Sequence, residues 1–370
     1  MAESEPRVLV DVFVAGEDGY HTYRIPAVVM AANGDLLAFA EGRVHGSGDA
    51  GDIDMVMKRS TNGGATWGDL QVVGDFGDGG FANPAPVVDA ASGDVLLLAV
   101  LEEAGSHEAD IRNSRGGGRV PCAVRSSDHG ETWGEVVSLA ETCDRADWRW
   151  YATGPCHAIQ LQRGEHAGRL VVPANFSQAG GGGNDYLGAH ALLSDDGGAT
   201  WRIGAVDNTH IGENEFNPNE STVVELSDGR LLFNTRDQGG TSRATRGVTV
   251  SEDGGASFVS PYAPEEALVA PVCQASLLGV DTEAGRLLVF SAPGVWDARR
   301  RMHLRVSADD GATWRDGPVL YEAAAAYSDM VALDADTIGC LFEADGYRRI
   351  VFTPVALTEL AGDNEPVPQP

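Results

Sequence analysis

The chain has 370 residues, 43% of them apolar and 22% charged, so it can bury a sizeable core and is too apolar to be disordered. Its formal charge of −29 argues against nucleic acid and an anionic membrane surface as the main partner, because both are repelled at long range. An anionic ligand must instead be captured by a local cluster of cations, and nearly all of these are arginines, Lys58 being the only lysine.

From the N-terminus, Met1 to Arg7 lacks the basic-then-apolar layout of a secretion signal, and no stretch approaches the roughly 18 apolar residues of a spanning helix. The chain is expected to be cytoplasmic, or secreted with the signal removed, without membrane insertion. The first strand candidate lies in "HTYRIPAVVMAANGDLLAFAEGR", where Arg24 and Pro26 interrupt a run that a buried strand would keep free of both. Next comes the Gly- and Asp-rich loop "RVHGSGDAGDIDM", which offers Asp49, Asp52 and Asp54.

At Ser60 begins an octapeptide of the form Ser-x-Asp-x-Gly-x-Thr-Trp. It recurs at Ser126–Trp133, Ser194–Trp201, Ser251–Phe258 and Ser307–Trp314. Each copy holds turn residues in its middle and an aromatic at its end, as a hairpin turn stitched back to its own sheet requires. Between the copies lie short β-rich runs, Val95–Leu101, Arg169–Pro173, Arg230–Asn234 and Arg286–Ser291, and helical periodicity is nearly absent. One four-stranded unit per ~60 residues is the signature of a propeller blade. The expectation is an all-β fold, a six-bladed β-propeller with Asp-box repeats, forming a single domain over residues 1–370.

Two long polar stretches, "EEAGSHEADIRNSRGGGR" with Glu108 and "QAGGGGND" at Gln178–Asp185, read as loops. The five cysteines are scattered, with no CxxC pair, and read as free buried thiols. No His/Cys cluster suggests a metal site or a cofactor.

Ligands of a propeller bind where loops meet on its axis, so functional side chains should be few per blade and far apart in sequence. Arg24, Arg236 (ending "LLFNTR") and Arg299 (opening "RRRMHLRV") are polar residues in otherwise apolar strands. Taken singly, each reads more readily as a structural or surface arginine than as a functional one. Tyr327 in "AAAAYSDM" reads on its own as a core tyrosine, and Glu343 in "GCLFEA" as a surface carboxylate.

Tyr-Arg-Ile-Pro, the five boxes and the C-terminal "GCLFEADGYRRIVF" together resemble the sialidases of the retaining glycoside hydrolase type. "TGPCHAIQL", "RLVVPA" and "AYSDM" are most similar to the vertebrate cytosolic members. The resemblance implies an exo-α-sialidase acting on sialylated glycans, glycoproteins or glycolipids. It implies Arg24, Arg236 and Arg299 as a carboxylate clamp, with Arg300 or Arg301 as alternatives to the last, and Glu343 as the acid that orients Arg24. A planar guanidinium grips a carboxylate bidentately and keeps its charge. It further implies Tyr327 as nucleophile, Glu220 as its base and Asp49 as the acid that protonates the leaving oxygen. Arg43, Asn83 and Glu108 are implied as further sugar contacts. At Asn175-Phe176-Ser177 the chain departs from relatives that carry tyrosines there, which leaves open the choice between N-acetylated and deaminated sugars. The alternatives are a non-catalytic carbohydrate-binding propeller and a transfer or intramolecular variant.

Overall fold

The computed structural model describes residues 7–113, 117–179, 185–207, 216–240 and 245–360. Among them the chain is almost wholly β, with three short helices. The strands run in sequence order as antiparallel meanders in four sheets. One sheet joins Thr22–Met30, Leu36–Arg43 and Ile53–Ser60 to Gly80–Val88, Val95–Glu102 and Arg119–Ser126, through the lone parallel pair Ile53↔Gly80. The second is built on Trp148–Thr153, Leu170–Ala179, Asp185–Ser194 and Arg202–Asp207, and the third on Pro218–Glu225, Leu231–Asp237 and Arg246–Ser251. The fourth runs from Ser276–Thr282 through Gly285–Pro293, Arg300–Ser307, Arg315–Ala332, Thr337–Ala344 and Arg349–Ala356, and ends on the N-terminal strand Val10–Val14.

The octapeptides are the turns that the sequence predicts. In Ser126–Trp133 the Ser126 hydroxyl donates to Asp128 at 2.7 Å and accepts from Gly130 N, while Asp128 accepts from Thr132 N at 2.9 Å and Thr132 Oγ1 at 2.5 Å. The same set recurs around Asp196, Asp253 and Asp309. The terminal aromatics return to the core edge-on: Trp67 meets Phe352, Trp133 meets Phe39, Phe258 meets Phe233 and Trp314 meets Phe290. The core itself lies between sheet faces; Leu96, Leu98 and Ala123, for example, pack against Leu170, Leu192 and Trp201. All five cysteines are free and buried.

The strands nearest the site share one irregularity. Pairing shifts register between Arg24 and Ala27, Ala82 and Ala85, Pro218 and Ser221, and Ala325 and Ser328. Such bulges re-aim a side chain that regular alternation would send into a neighbouring face. Each brackets a residue of interest: Arg24, Asn83, Glu220 and Tyr327. Ile25 and Asn83 have left-handed φ values of 59° and 58°, and Pro26 and Pro84 follow them, where no ladder hydrogen bond is asked of the nitrogen. Pro26 therefore belongs to a bulge rather than to a regular strand.

One expectation is corrected. Glu108 lies in a short helix, Glu108–Arg112, not in a loop, stabilised by acidic residues in its first turn and by an Arg112–Glu108 pair at 3.2 Å. Of the two readings of Glu343, the surface carboxylate is excluded, since the residue is 1% exposed. The centre of the polar stretch at Gln178–Asp185, residues 180–184, lies outside the described residues. None of the described helices is long and apolar enough to cross a membrane.

Candidate active site

A cavity of ≈ 260 Å³ is lined by Arg24, Arg43, Asp49, Asn83, Glu108, Glu220, Arg236, Arg299 and Tyr327, nine residues spread over some 300 positions of sequence. Glu343, the tenth residue singled out, supports the cavity wall from beneath. Its Oε1 accepts from Arg24 Nε at 2.6 Å and Ile25 N at 2.9 Å, and its Oε2 from Tyr327 N at 3.1 Å. One buried carboxylate therefore fixes both the Arg24 guanidinium and the Tyr327 backbone.

Burial works against the charge of Arg24, but Glu343, Tyr327 and Tyr347 outweigh it and hold the guanidinium's pKa above its ordinary value. The same balance holds for Arg299, where burial is outweighed by Cys273, Tyr327 and Tyr347. Arg299 precedes the strand Arg300–Ser307; it donates to Tyr347 Oη at 3.1 Å and to Val272 O at 3.0 Å, whereas Arg300 is exposed. Arg236 faces them from Leu231–Asp237. Arg24, Arg236 and Arg299, three of the five arginines that line the cavity, thus gather positive charge in a chain of negative net charge, an arrangement suited to an anion.

Tyr327 donates its hydroxyl hydrogen to Glu220 Oε1 at 2.6 Å, and Arg236 Nη1 donates to the same phenolic oxygen at 3.0 Å. Arg236 Nη1 also lies 2.6 Å from Glu220 Oε2, although out of line for a hydrogen bond. Burial pushes the Tyr327 phenol well above its ordinary value; Arg236 and Arg299 oppose that shift and Glu220 adds to it. The phenol is therefore neutral at rest, with a proton acceptor already in contact.

Asp49 stands at the mouth of the cavity with its side chain 75% exposed, 2.7 Å from Arg43 Nη1 and 4.0 Å from Arg24 Nη1. Desolvation raises its pKa, but Arg43 and Arg24 more than offset this and hold the carboxyl below the ordinary carboxylate range. Arg43 is itself fixed by Glu41 through Nε at 3.1 Å and Nη2 at 2.5 Å.

The far wall contains residues that sequence reasoning missed. Arg119 donates to Asn83 Oδ1 and to Glu102 Oε2, both at 2.5 Å, and its guanidinium lies 3.7 Å from the Trp150 ring centroid. Burial pushes the Glu102 carboxyl upward against the pull of Arg119. Asn83 in turn is fixed by its own N–H, which donates to Glu41 Oε1 at 2.9 Å. Glu41 had a visible signal, a carboxylate two positions before Arg43 on the same strand face. Arg119, Trp150, Asn219 and Gln238 had none.

A family model described as a BNR repeat-like domain matches residues 34–340. A sialidase of Micromonospora viridifaciens is 34% identical over 351 residues, covering 90% of this chain and 51% of the relative. The chain belongs to the sialidase family. Sialidase-2 of Mus musculus is 27% identical over 364 residues, covering 90% of this chain and 92% of that one. Among solved structures, the Hadza microbial sialidase Hz136 superposes with a TM-score of 0.83 at 27% identity, over 96% of this chain and 69% of the other. The chain thus spans about half the length of the Micromonospora sialidase and nearly all of the murine one.

Proposed function

We propose that this sialidase-family chain is an exo-α-sialidase that hydrolyses terminal sialic acid from glycoproteins or glycolipids with retention of configuration. The observation that carries the reading is the Tyr327–Glu220 hydrogen bond of 2.6 Å at the floor of a cavity whose lining includes Arg24, Arg236 and Arg299. Arg24, Arg236 and Arg299 bind the sugar carboxylate, which seats the anomeric carbon over the Tyr327 oxygen. A carboxylate nucleophile would be repelled by that substrate charge, whereas a phenol is neutral until its proton leaves.

In the first step Tyr327 Oη passes its proton to Glu220 and bonds to the anomeric carbon, while the glycosidic C–O bond breaks and Asp49 gives its proton to the leaving oxygen. In the second, Asp49 takes a proton from water, the water oxygen attacks the anomeric carbon, and the C–Oη bond breaks as Glu220 returns its proton to Tyr327. Asp49 is ionised in the free site because of Arg43 and Arg24. The substrate carboxylate neutralises part of that positive field and lets Asp49 hold a proton in the complex.

The reading takes the chain, residues 1–370, as a single six-bladed propeller, which the packing of the described strands supports. The inner strands pack in cyclic order: Thr22–Met30 on Gly80–Val88, Gly80–Val88 on Trp148–Thr153, Leu170–Ala179 on Pro218–Glu225, then Ser276–Thr282, Arg315–Ala332 and back to Thr22–Met30. The deciding experiment is release of a fluorogenic aglycone from an α-sialoside, offered in N-acetylated and deaminated forms. Turnover with initial retention, seen by NMR, supports the proposal, and no turnover of either form rejects it. Lactose in the same assay separates hydrolysis from transfer.

A further inference from the structure

The hairpin between Thr337–Ala344 and Arg349–Ala356 turns through residues 345–348. Three consecutive residues in it, Asp345, Gly346 and Tyr347, have φ values of 55°, 66° and 70°. Only glycine is at ease there, because a Cβ crowds the neighbouring carbonyl, so Asp345 and Tyr347 hold a conformation imposed by their contacts.

Those contacts are of two kinds. On one side, Asp345 N donates to Ala324 O at 2.9 Å, and the Asp345 carboxylate accepts from Tyr321 Oη and, at 2.6 Å, from Arg349 Nε. On the other, the Arg24 guanidinium lies 4.0 Å from the centroid of the Tyr347 ring, and Arg299 Nη1 donates to the Tyr347 hydroxyl at 3.1 Å. The half-buried ring also packs against the cluster of Ile25, Cys273, Ala326 and Tyr327. A single side chain thus touches Arg24 and Arg299, two of the five arginines that line the cavity, by its face and by its edge.

We infer that Tyr347 is a positioning residue for the carboxylate clamp, its ring face fixing Arg24 and its hydroxyl fixing Arg299, and that the left-handed turn is what aims the ring between them. The inference rests on the sialidase reading above, because the clamp's ligand is taken to be a sugar carboxylate. Held this way, both guanidiniums are ordered before substrate arrives, and less freedom is lost on binding. Such help is felt equally in ground and transition states, so its loss appears in KM rather than kcat.

The test uses the full chain with Tyr347→Phe, Tyr347→Ala and Tyr347→Gly. Tyr347→Phe keeps the stacking face and is expected to raise KM for the fluorogenic sialoside about 3–10-fold, with kcat within about two-fold. Tyr347→Ala loses face and hydroxyl together, and about 10–100-fold is expected. Calorimetric titration with the 2,3-dehydro derivative of sialic acid and with its carboxamide supplies the readout that a merely structural residue would not move. The preference for acid over amide should shrink in both variants, whereas a general loosening would weaken both probes alike. The backbone part is read by melting: Tyr347→Gly should melt about 1–4 °C above Tyr347→Ala, since both lack the ring and only glycine relieves the positive φ.

Unchanged KM and an undiminished acid preference in Tyr347→Phe and Tyr347→Ala overturn the positioning role. A glycine variant no more stable than the alanine variant overturns the part assigned to the turn. A wild type that cleaves no sialoside yet prefers the acid to the amide rejects the enzymatic reading while keeping the clamp; one without that preference rejects both.

Discussion

Tyr327 donates a hydrogen bond to Glu220 across 2.6 Å, although the two lie 107 positions apart and enter from different sheets. Each is delivered by a bulge, so neither depends on the alternation of its strand. If the pair is nucleophile and base, Tyr327→Phe should lower kcat by at least about 10³-fold and Glu220→Gln by about 10²–10⁴-fold, with little change in melting temperature. Steady-state kinetics beside thermal melts check this. A Tyr327→Phe enzyme that keeps full activity would show that the hydroxyl is only a structural donor.

Arg43 sets the protonation of Asp49. Because Arg43 and Arg24 hold the Asp49 carboxyl low, removing Arg43 must let its pKa rise. If Asp49 is the general acid it works only while protonated, so the alkaline limb of kcat/KM should move to higher pH in Arg43→Met, by about 0.5–1 unit given that the Asp49 side chain is largely exposed. An alkaline limb that stays put would assign that limb to another group.

Stability at neutral pH is reduced by Asp54. Burial is the main cause that pushes this carboxyl up to about 6; Asp75 and Asp52 add to the shift, and the Tyr20 hydroxyl, donating at 2.6 Å, opposes it. The folded state then binds the proton more tightly than the unfolded one, so stability falls as pH rises from about 4 to about 6 and stays lower above that. Asp54→Asn should therefore raise the melting temperature at pH 7.5 by about 2–4 °C, corresponding to about 2–3 kcal/mol, and leave it nearly unchanged at pH 4. Calorimetry at the two pH values decides it, and equal shifts at both would remove the titration from the explanation.

Adjacent glycines in the first octapeptide differ in what they tolerate. Gly63 and Gly64 both have positive φ, but a Cβ on Gly63 meets open space while one on Gly64 would run into the Phe352 ring, which Trp67 already packs edge-on at 5.5 Å. Gly63→Ala should cost about 1 kcal/mol and Gly64→Ala about 2–4 kcal/mol in denaturant unfolding. Equal costs would mean that the ring yields freely.

The reach of the sequence was uneven for physical reasons. The octapeptides were legible because each is a closed local hydrogen-bond set, written in eight consecutive residues. Arg24, Asp49, Glu220, Arg236, Arg299 and Tyr327 were identifiable only through their joint motif context; no spacing rule brings Glu220 to Tyr327. Arg119 and Trp150 were invisible because their roles are created by packing between strands distant in sequence. Tyr347 was hidden more thoroughly, since its place between two arginines depends on a run of left-handed backbone that Asp-Gly-Tyr hints at only as a turn. The helix at Glu108 was lost to its brevity, five residues carrying too little periodicity to oppose the surrounding polar sequence.

The bond from Glu343 to Arg24 spans 319 positions, and beside it the strand Val10–Val14 completes the sheet of Arg349–Ala356. Closing so long a loop is entropically costly and has no local reward, so these contacts are expected late in folding. On the ribosome, Arg24, Asp49 and Glu220 emerge well before the residue that orients the first of them. The arginine cluster is therefore completed only when the last strands dock, and a partly made chain lacks the buried carboxylate that orients Arg24.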